Sequence, residues 1–293
     1  MSPRGEGLVA INLTALLLGA TALFGKIDAS PVWIVLGRCL FASAALFLML
    51  RVRGRKLRAR RSVVIGAAAT AALLALHWIA FFTAIQWSGV GLAIITVSSF
   101  PLFTVLLEGW SKKRALHWLE VVAGAAMIGA IALVAAPSEH QGSLVLWGMG
   151  LGVFAAASYA VFALFSQRLL KEVGPSQLSC LQYGFVVLWL APFLPFSTPL
   201  SGADDWFAIV ALGVVFTAIA HQLYLFALTR LSASACAGFI CLEPIYAIGY
   251  AALFFRDAIP PTLGISAAII AIACWILLRR NDEEAQPAPL DVV

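Results

Sequence analysis

Long stretches without a charged side chain alternate along this sequence with short basic or acidic segments. Seven stretches contain no Asp, Glu, Lys or Arg, and they span residues 7–25, 62–107, 121–138, 141–167, 173–203, 206–229 and 258–278. A membrane-spanning helix needs about 20 mostly apolar residues, so each stretch is long enough for one helix. Residues 62–107 are long enough for two, and we expect the chain to fold back at WSGVG (87–91).

Two further apolar segments, residues 31–50 and 231–255, are each interrupted by one charge, Arg38 and Glu243. Together with the uncharged stretches they predict an all-α polytopic membrane protein of ten transmembrane helices. The composition agrees, because 62% of the residues are hydrophobic and 11% are charged. A globular domain is typically about 45–50% apolar and about 25% charged. The first helix lacks an A-x-A-like cleavage site, and we expect it to be retained.

The basic residues fall mainly on alternate loops. With the amino terminus in the cytoplasm, 16 of the 19 Lys and Arg residues lie inside, seven of them in RVRGRKLRARR (51–61), and only Lys26 and Arg256 face outward. This bias predicts a bacterial-type plasma (inner) membrane protein with both termini cytoplasmic. The basic loop is more typical of contact with anionic lipid than with nucleic acid.

The second half of the sequence repeats landmarks of the first half. The offset is 144 residues for three pairs and 143 for the fourth: Pro31 and Pro175, Arg38 and Gln182, His77 and His221, and Pro101 and Pro244. Each half holds five helices, an odd number, so the two copies must enter the membrane from opposite sides. We expect a first repeat over 1–138, an inverted second repeat over 139–280 and a disordered cytoplasmic tail over 281–293. Two such halves can enclose a cavity, which favours a monomer.

Several segments resemble the EamA family of the drug/metabolite transporter (DMT) superfamily. They are SPVWIVLGRCLF, the fourth-helix proline Pro101, GAAMIGAIALV, and LEPIYAIGYAALFFRDAIPPTLG. The resemblance covers residues 8–279 and, within the family, is greatest to YddG-like exporters of aromatic and neutral amino acids. It implies a central cavity lined mainly by helices 1–4 and 6–9, with helices 5 and 10 at the periphery. An acidic residue that the family often shows after helix 4 matches Asp257 in the second half, whereas Ala115 stands near that position in the first.

Glu243 is the clearest candidate for chemistry, with twelve uncharged residues on each side. Ionisable groups inside a bilayer face a cavity or a partner by default, so Glu243 is expected to bind a substrate amine or accept a proton. The alternative is a neutral carboxylic acid bonded to a neighbouring helix. Pro244 removes a helix hydrogen bond, and irregular backbone is tolerated at membrane depth where it lines a cavity.

Pro101 is the counterpart of Pro244, but no charge precedes it. The two prolines are therefore predicted to act as hinges in gating, and the unpaired Glu243 to serve a substrate or an ion. Ser98 and Ser99 either line the cavity or satisfy backbone groups that Pro101 frees.

His77 and His221 lie slightly past the middle of their helices, within about 5 Å of the membrane midplane at a rise of 1.5 Å per residue. Protonation near pH 6.5 would couple transport to protons, whereas the alternative is a neutral imidazole bonded to a backbone carbonyl. The neighbouring side chains would accept a flat apolar group or hold a cation over a ring; they are Trp78, Phe81, Gln222 and Tyr224.

Arg38 either meets a substrate carboxylate or clamps helix-end carbonyls. Because Gln182 replaces it in the other half, the structural role is favoured. Gln182 is also a candidate cavity residue, as are Tyr159 and Tyr246.

These patterns predict a secondary transporter that exports aromatic or neutral amino acids, or related small metabolites, by alternating access. The outward direction rests on the resemblance alone. One alternative is a multidrug exporter of aromatic cations, and another is a membrane scaffold or receptor without transport. The sequence has no G-x-x-x-x-G-K-[ST] phosphate loop, no H-E-x-x-H metal motif and no pair of intramembrane aspartates, so we expect neither an enzyme nor a cofactor or metal ion.

Overall fold

The computed structural model describes residues 2–111, 113, 115–138, 142–240, 242–255 and 260–285, and within these ranges the chain is helical and contains no strand. The elements are α1 (Pro3–Thr21), a 3₁₀ turn (Ala22–Lys26), α2 (Pro31–Val52), α3 (Arg61–Val97), α4 (Phe100–Ser111), α5 (Trp118–Ser138), α6 (Ser143–Leu169), α7 (Pro175–Leu190), a 3₁₀ turn (Ala191–Phe196), α8 (Ala203–Gly213), a π turn (Val214–Ile219), α9 (Ala220–Leu228), α10 (Ala233–Ile240), α11 (Glu243–Phe255) and α12 (Pro261–Ala285). Residues 281–285 of the predicted tail continue α12. The predicted outward residue Arg256, the family position Asp257 and residues 286–293 lie outside the described ranges.

Six helical stretches within the described residues are long and apolar enough to cross a membrane: Pro3–Lys26, Pro31–Val52, Arg61–Ser111, Ser143–Leu169, Pro175–Phe196 and Ala203–Leu228. Three shorter apolar helices accompany them, over Trp118–Val134, Ala235–Ala247 and Pro261–Ile276. The chain is therefore an all-helical, multi-pass membrane protein.

The expected reversal within the longest stretch occurs at Gly89, which adopts φ 83° and ψ 163° between two helical segments. A positive φ of this kind is open to glycine but strained for other residues. Helix α6 shows the change of direction, because it runs along both segments. Its successive contacts on the first segment go back from Ser88 through His77 to Gly66, and those on the second go forward from Thr96 through Phe100 to Ser111.

The predicted proline kinks are helix breaks in the structure. One helix ends at Val97 and the next begins at Phe100, and in the second half α10 ends at Ile240 and α11 begins at Glu243. Pro101 and Pro244 are therefore each the second residue of a new helix. Proline is tolerated in a first turn because its missing N–H has no partner to find there.

Helix starts recur at a fixed distance along the chain. Pro31 and Pro175, 144 residues apart, begin α2 and α7. Phe100 and Glu243, 143 apart, begin α4 and α11, and the same spacing separates the starts of α5 and α12. The repeat of landmarks in the sequence is thus also a repeat of element boundaries.

Helices α1 and α6 run in opposite directions. The start of α1 contacts the α9–α10 connection, where Gly7 meets Leu231, and the carbonyl of Leu231 accepts a hydrogen bond from Gln167 near the end of α6. After α1 ends, the chain reaches the other side of the molecule, where Gly25 meets Ile85 close to the turn at residue 89. The start of α6 lies on that second side, at Ser88.

The buried apolar residues form two clusters. The larger is built mainly from α1–α4 and α6–α11, whereas the smaller joins α5 and α12 with parts of α3, α4 and α6. Ser266 of α12 donates to the carbonyl of Ala130 of α5 at 2.8 Å. Helices 5 and 10 of the predicted ten thus pack largely against each other.

The five cysteines are scattered along the sequence and odd in number, a pattern that predicts small apolar residues and not a disulfide framework. The structure corrects this prediction. Cys39, Cys180 and Cys236 are free, buried thiols. Cys274 is disulfide-bonded, so it is not simply a small apolar side chain.

Candidate functional site

A small central cavity lies where the halves of the chain meet. Its volume is about 40 Å³, which is room for about three water molecules and not for a larger solute. The lining comes from α1, both segments of α3, α4, α6, α9, α10 and α11: Leu18, Thr21, His77, Trp78, Phe81, Ile94, Val97, Ser98, Phe100, Tyr159, His221, Ile240 and Glu243.

The structure brings seven of the candidate binding residues together at this cavity: His77, Trp78, Phe81, Ser98, Tyr159, His221 and Glu243. The other candidates are not in its lining. Ser99 is buried and donates to the carbonyl of Thr96 at 2.7 Å. Tyr224 contacts Tyr159 with its ring tilted, and the ring centroids lie 5.5 Å apart. Gln222 is half-buried, and Tyr246 packs against α1 at Gly19.

His77 is fixed in orientation by the neighbouring helix. Its Nδ1 lies 2.8 Å from the carbonyl oxygen of Ala155 on α6. A carbonyl can only accept, so Nδ1 must carry the hydrogen, and Nε2 is the nitrogen left for other partners. The backbone-bonded histidine that the sequence offered as an alternative is therefore present, in a side chain that also lines the cavity.

Aromatic rings connect the two histidines. The Tyr159 ring lies 4.6 Å from that of His77 and 6.1 Å from that of His221, measured between centroids. Trp78 meets His221 edge-to-face at 5.1 Å, and Phe100 meets Tyr159 at 5.3 Å. Such contacts hold rings in defined positions. The cavity wall is consequently an ordered aromatic surface.

Glu243 and Ser98 supply oxygen atoms to the lining. Ser98 donates to the carbonyl of Ile94 at 2.7 Å, which satisfies the last turn before the helix break. Glu243 is the first residue of α11, where the exposed N–H groups of a helix start favour a negative charge. The break before Pro244 is what brings this carboxylate to a helix end.

Arg38 is fully buried in α2, and among the described residues it makes one hydrogen bond, from Nε to Thr217 Oγ1 at 2.8 Å. Its guanidinium carbon lies 4.1 Å from the centroid of the Trp78 ring. The predicted contact with helix-end carbonyls is not what anchors it, since the partner is a hydroxyl. The side chain is one residue away from the cavity, behind Trp78.

Gln182, the counterpart of Arg38, occupies a buried network between three helices. Its Nε2 donates to Thr70 Oγ1 at 2.9 Å and to Ser166 Oγ at 3.0 Å. The two counterparts therefore bind alike: Arg38 of the first half reaches Thr217 in the second, and Gln182 of the second reaches Thr70 in the first.

Sequence reasoning missed six of the lining residues: Leu18, Thr21, Ile94, Val97, Phe100 and Ile240. Phe100 had a signal, because it is the counterpart of Glu243, and Thr21 had one as a hydroxyl in the first apolar stretch. The Oγ1 of Thr21 is buried without a hydrogen-bond partner among the described residues. Glu108 near the end of α4 is also buried, which adds an acidic group to those recognised inside the helices.

The model of the EamA-like transporter family matches residues 5–136 and again residues 146–279. The chain belongs to this family. As a member it is a membrane transporter and not an enzyme, and the family implies a small-molecule substrate. The two matched segments each correspond to one half of the chain.

Curated relatives carry transporter names. An uncharacterized transporter, YxxF of Bacillus subtilis, is 23% identical over 99% of this chain and 95% of its own length. The threonine/homoserine exporter RhtA of Escherichia coli is 27% identical over 70% of this chain and 68% of its own length. A probable terminal-alkyne amino-acid exporter of Streptantibioticus cattleyicolor is 24% identical over 65% of this chain and 64% of its own length.

A solved crystal structure shares the fold. It superposes with a TM-score of 0.73 over 95% of this chain and 99% of that chain, at 17% sequence identity. At this identity the likeness describes the arrangement of helices only.

Proposed function

We propose that this transporter exports amino acids, aromatic or neutral, or related small metabolites across the bacterial inner membrane by alternating access. The observation that carries the proposal is the central cavity, which combines a carboxylate, two histidines and an aromatic wall between the two halves. Glu243 suits a substrate ammonium, and the aromatic rings suit an apolar side chain. Two relatives whose names include amino-acid export support the cargo class.

The proposed architecture is two inverted repeats of five transmembrane helices, over residues 1–138 and 139–280. Three observations support it: the recurrence of helix starts at 143–144 residues, the twofold match to the family, and the opposite directions of α1 and α6. The reversal at residue 89 gives the long stretch Arg61–Ser111 two crossings, and the helix α10–α11 gives one across its break. Inverted repeats of this kind are an architecture of secondary transporters.

The proposed orientation has both termini in the cytoplasm. The end of α6 lies near the start of α1, and α7 begins shortly after α6 ends. Gln177 at the start of α7 donates to the carbonyl of Lys56, so residues 53–61 lie at this end as well. Arg230 lies at the same end, in an ion pair with Glu6 at 3.0 Å. The opposite end holds Lys26 and Asp28. Basic residues concentrate on the cytoplasmic side of membrane proteins. Because the two halves enclose the cavity between them, one chain is sufficient, and we propose a monomer.

Alternating access requires that the cavity open, since its present volume excludes an amino acid. On the proposed outer side Gly25 contacts Ile85, and Gln86 donates to the carbonyl of Ala29 at 2.9 Å. On the proposed inner side the ion pair of Arg230 with Glu6 joins the α9–α10 connection to α1. Helix breaks before Pro101 and Pro244 offer places where the backbone can bend without losing helix hydrogen bonds.

Export of aromatic cations is the second candidate, and the observation that favours it is the juxtaposition of Glu243 with Trp78, Tyr159 and Phe100. A ring face and a carboxylate together bind organic cations. Aromatic cations should then compete with amino acids for transport. Absence of competition would leave amino acids as the cargo.

The test is transport of radiolabelled threonine and phenylalanine into proteoliposomes, with and without an imposed pH gradient. We expect uptake by the native chain and at least a tenfold loss in Glu243→Gln, which removes the charge from the cavity. Glu172→Gln, a change in the connection between α6 and α7, is the matched control and should transport normally. If the native chain transports neither threonine nor phenylalanine, the proposed amino-acid substrate class is wrong. A fully active Glu243→Gln would show that Glu243 is not part of the binding site.

A further inference from the structure

Arg38 is a buried cation whose hydrogen-bonding capacity is largely unused. Nη1 and Nη2 of its guanidinium have no hydrogen-bond partner among the described residues, although the side chain is fully buried. A charged group left unpaired inside a bilayer is expensive, so such residues mark sites for partners or ligands. An acceptor for these two nitrogens is the missing element.

The surroundings fix the guanidinium in one orientation. The π turn Val214–Ile219 carries Thr217, whose hydroxyl donates to the carbonyl of Leu212 at 2.7 Å and accepts from Arg38 Nε at 2.8 Å. One face of the guanidinium lies 4.1 Å from the Trp78 ring centroid, and the Phe82 ring is at 5.6 Å. Because Nε is occupied and the flanking rings supply no carboxylate, Nη1 and Nη2 form an open fork.

The fork is the geometry that binds a carboxylate bidentately. Trp78 separates Arg38 from the cavity, so an indole that turns aside would connect the two. Glu243 lines the same cavity as Trp78. The structure gives Arg38 and Glu243 no ion pair with each other among the described residues.

We propose that Arg38 binds the carboxylate of the transported amino acid, so that Arg38 and Glu243 are the positive and negative poles of a site for zwitterions. This inference rests on the proposed export of amino acids and extends it to a specificity residue. The second half carries Gln182 at the equivalent position, with its amide already bonded to Thr70 and Ser166. The proposed site therefore has one positive and one negative pole, without a second cation at the equivalent position, and it binds its substrate in one orientation.

The proposal predicts which chemical groups a ligand needs. For the native chain in proteoliposomes, L-phenylalanine should inhibit transport about tenfold to a hundredfold more strongly than L-phenylalaninamide, which lacks only the carboxylate; that is the range for hydrogen bonds to a charged group. L-threonine and L-threoninamide give the same comparison for a small side chain. N-acetyl-L-phenylalanine lacks the ammonium charge, so comparing its inhibition with that of L-phenylalanine tests the Glu243 pole.

Substitution then assigns the carboxylate preference to one residue. Arg38→Gln installs the residue of the other half, and the ratio of amide to acid inhibition constants should fall to about one. Arg38→Lys keeps the charge without the fork and should retain part of the preference. Arg51→Gln, at the exposed end of α2, is the control and should keep the native ratio.

The outcomes separate the two proposals. A native chain that transports amino acids but does not distinguish acid from amide overturns the role of Arg38, and this arm needs no variant to fold. Arg38→Gln with an unchanged ratio overturns it equally. If chloride, and not a carboxylate, competes at the site, the open fork serves an inorganic anion and the assignment is wrong. Failure of the native chain to transport any amino acid counts against the proposed function itself.

Discussion

At the scale of single residues, Gln182 allows a structural role to be separated from a binding role. Its amide joins α7 to Thr70 of α3 and Ser166 of α6, away from the cavity lining. Interhelical hydrogen bonds in membranes contribute about 0.6 to 2 kcal/mol. We expect Gln182→Leu to lower the free energy of unfolding by about 1 kcal/mol while leaving the affinity for the transported amino acid unchanged. Thermal unfolding in detergent and ligand binding measure the two effects.

Glu243→Gln is the complementary variant for this comparison. Its side chain lines the cavity, so affinity should fall while the unfolding temperature stays close to that of the native chain. A large loss of affinity in Gln182→Leu at normal stability would instead assign Gln182 to the substrate path.

Sequence reasoning found the polar and aromatic residues of the cavity better than the apolar ones. His77, His221 and Glu243 stand out because a charge or imidazole is rare within an apolar helix. Leu18 and Ile240 carry no such signal, since a helix that is apolar on every side does not reveal which face meets a cavity. Arg38 stands out in the sequence by its charge. Its contact with Thr217 could not be predicted, because the position of Thr217 depends on a π turn that hydrophobic periodicity does not indicate.

At the scale of elements, the contact between the turn Ala22–Lys26 and α3 closes the proposed outer side. A methyl group on Gly25 would lie 2.7 Å from Ile85 Cγ2 and 2.8 Å from its Cδ1, which is too close without a shift. We expect Gly25→Ala to destabilise this closed form by about 1–3 kcal/mol, the range for overpacking. A lower unfolding temperature would report it.

The double variant Gly25→Ala/Ile85→Ala tests whether this contact is the cause. Removing the methyl groups of Ile85 should restore part of the lost stability, giving a coupling energy between the two sites. Gly150→Ala is the matched control within α6, because a methyl group there meets no atom within 4 Å. Equal destabilisation by Gly25→Ala and Gly150→Ala would argue against a specific contact at Gly25. Additive effects of Gly25→Ala and Ile85→Ala in the double variant would argue against it as well.

Elements were more predictable than their ends. The fold-back within 62–107 follows from length and from WSGVG, and Gly89 is the residue that turns. The prolines misled in detail: a proline inside a long apolar run suggests a kink, whereas a proline also fits the first turn of a new helix. Distinguishing the two requires knowing that the chain breaks at residues 98–99 and again before Glu243, which hydropathy does not show.

At the scale of the whole molecule, the repeat explains features that single helices do not. Arg38 and Gln182 both bond to a threonine in the opposite half, and both helix breaks precede an equivalent proline. The sequence contained the repeat because its landmarks keep their spacing. The sequence could not reveal that the cavity is narrowed to the volume of about three water molecules, because its size depends on side-chain contacts across the halves.

The proposed inverted arrangement predicts which loops face which side of the membrane. Lys26 follows α1 at one end of the molecule, whereas Arg55 follows α2 at the other, and both are exposed. In intact cells a membrane-impermeant maleimide should label Lys26→Cys directly and Arg55→Cys only after permeabilisation. The native chain is the control, since Cys39, Cys180 and Cys236 are buried and should react little. Labelling of both positions from the same side would contradict the opposite placement of these loops, and a reversed pattern would place the basic loop 51–61 outside, against the charge bias.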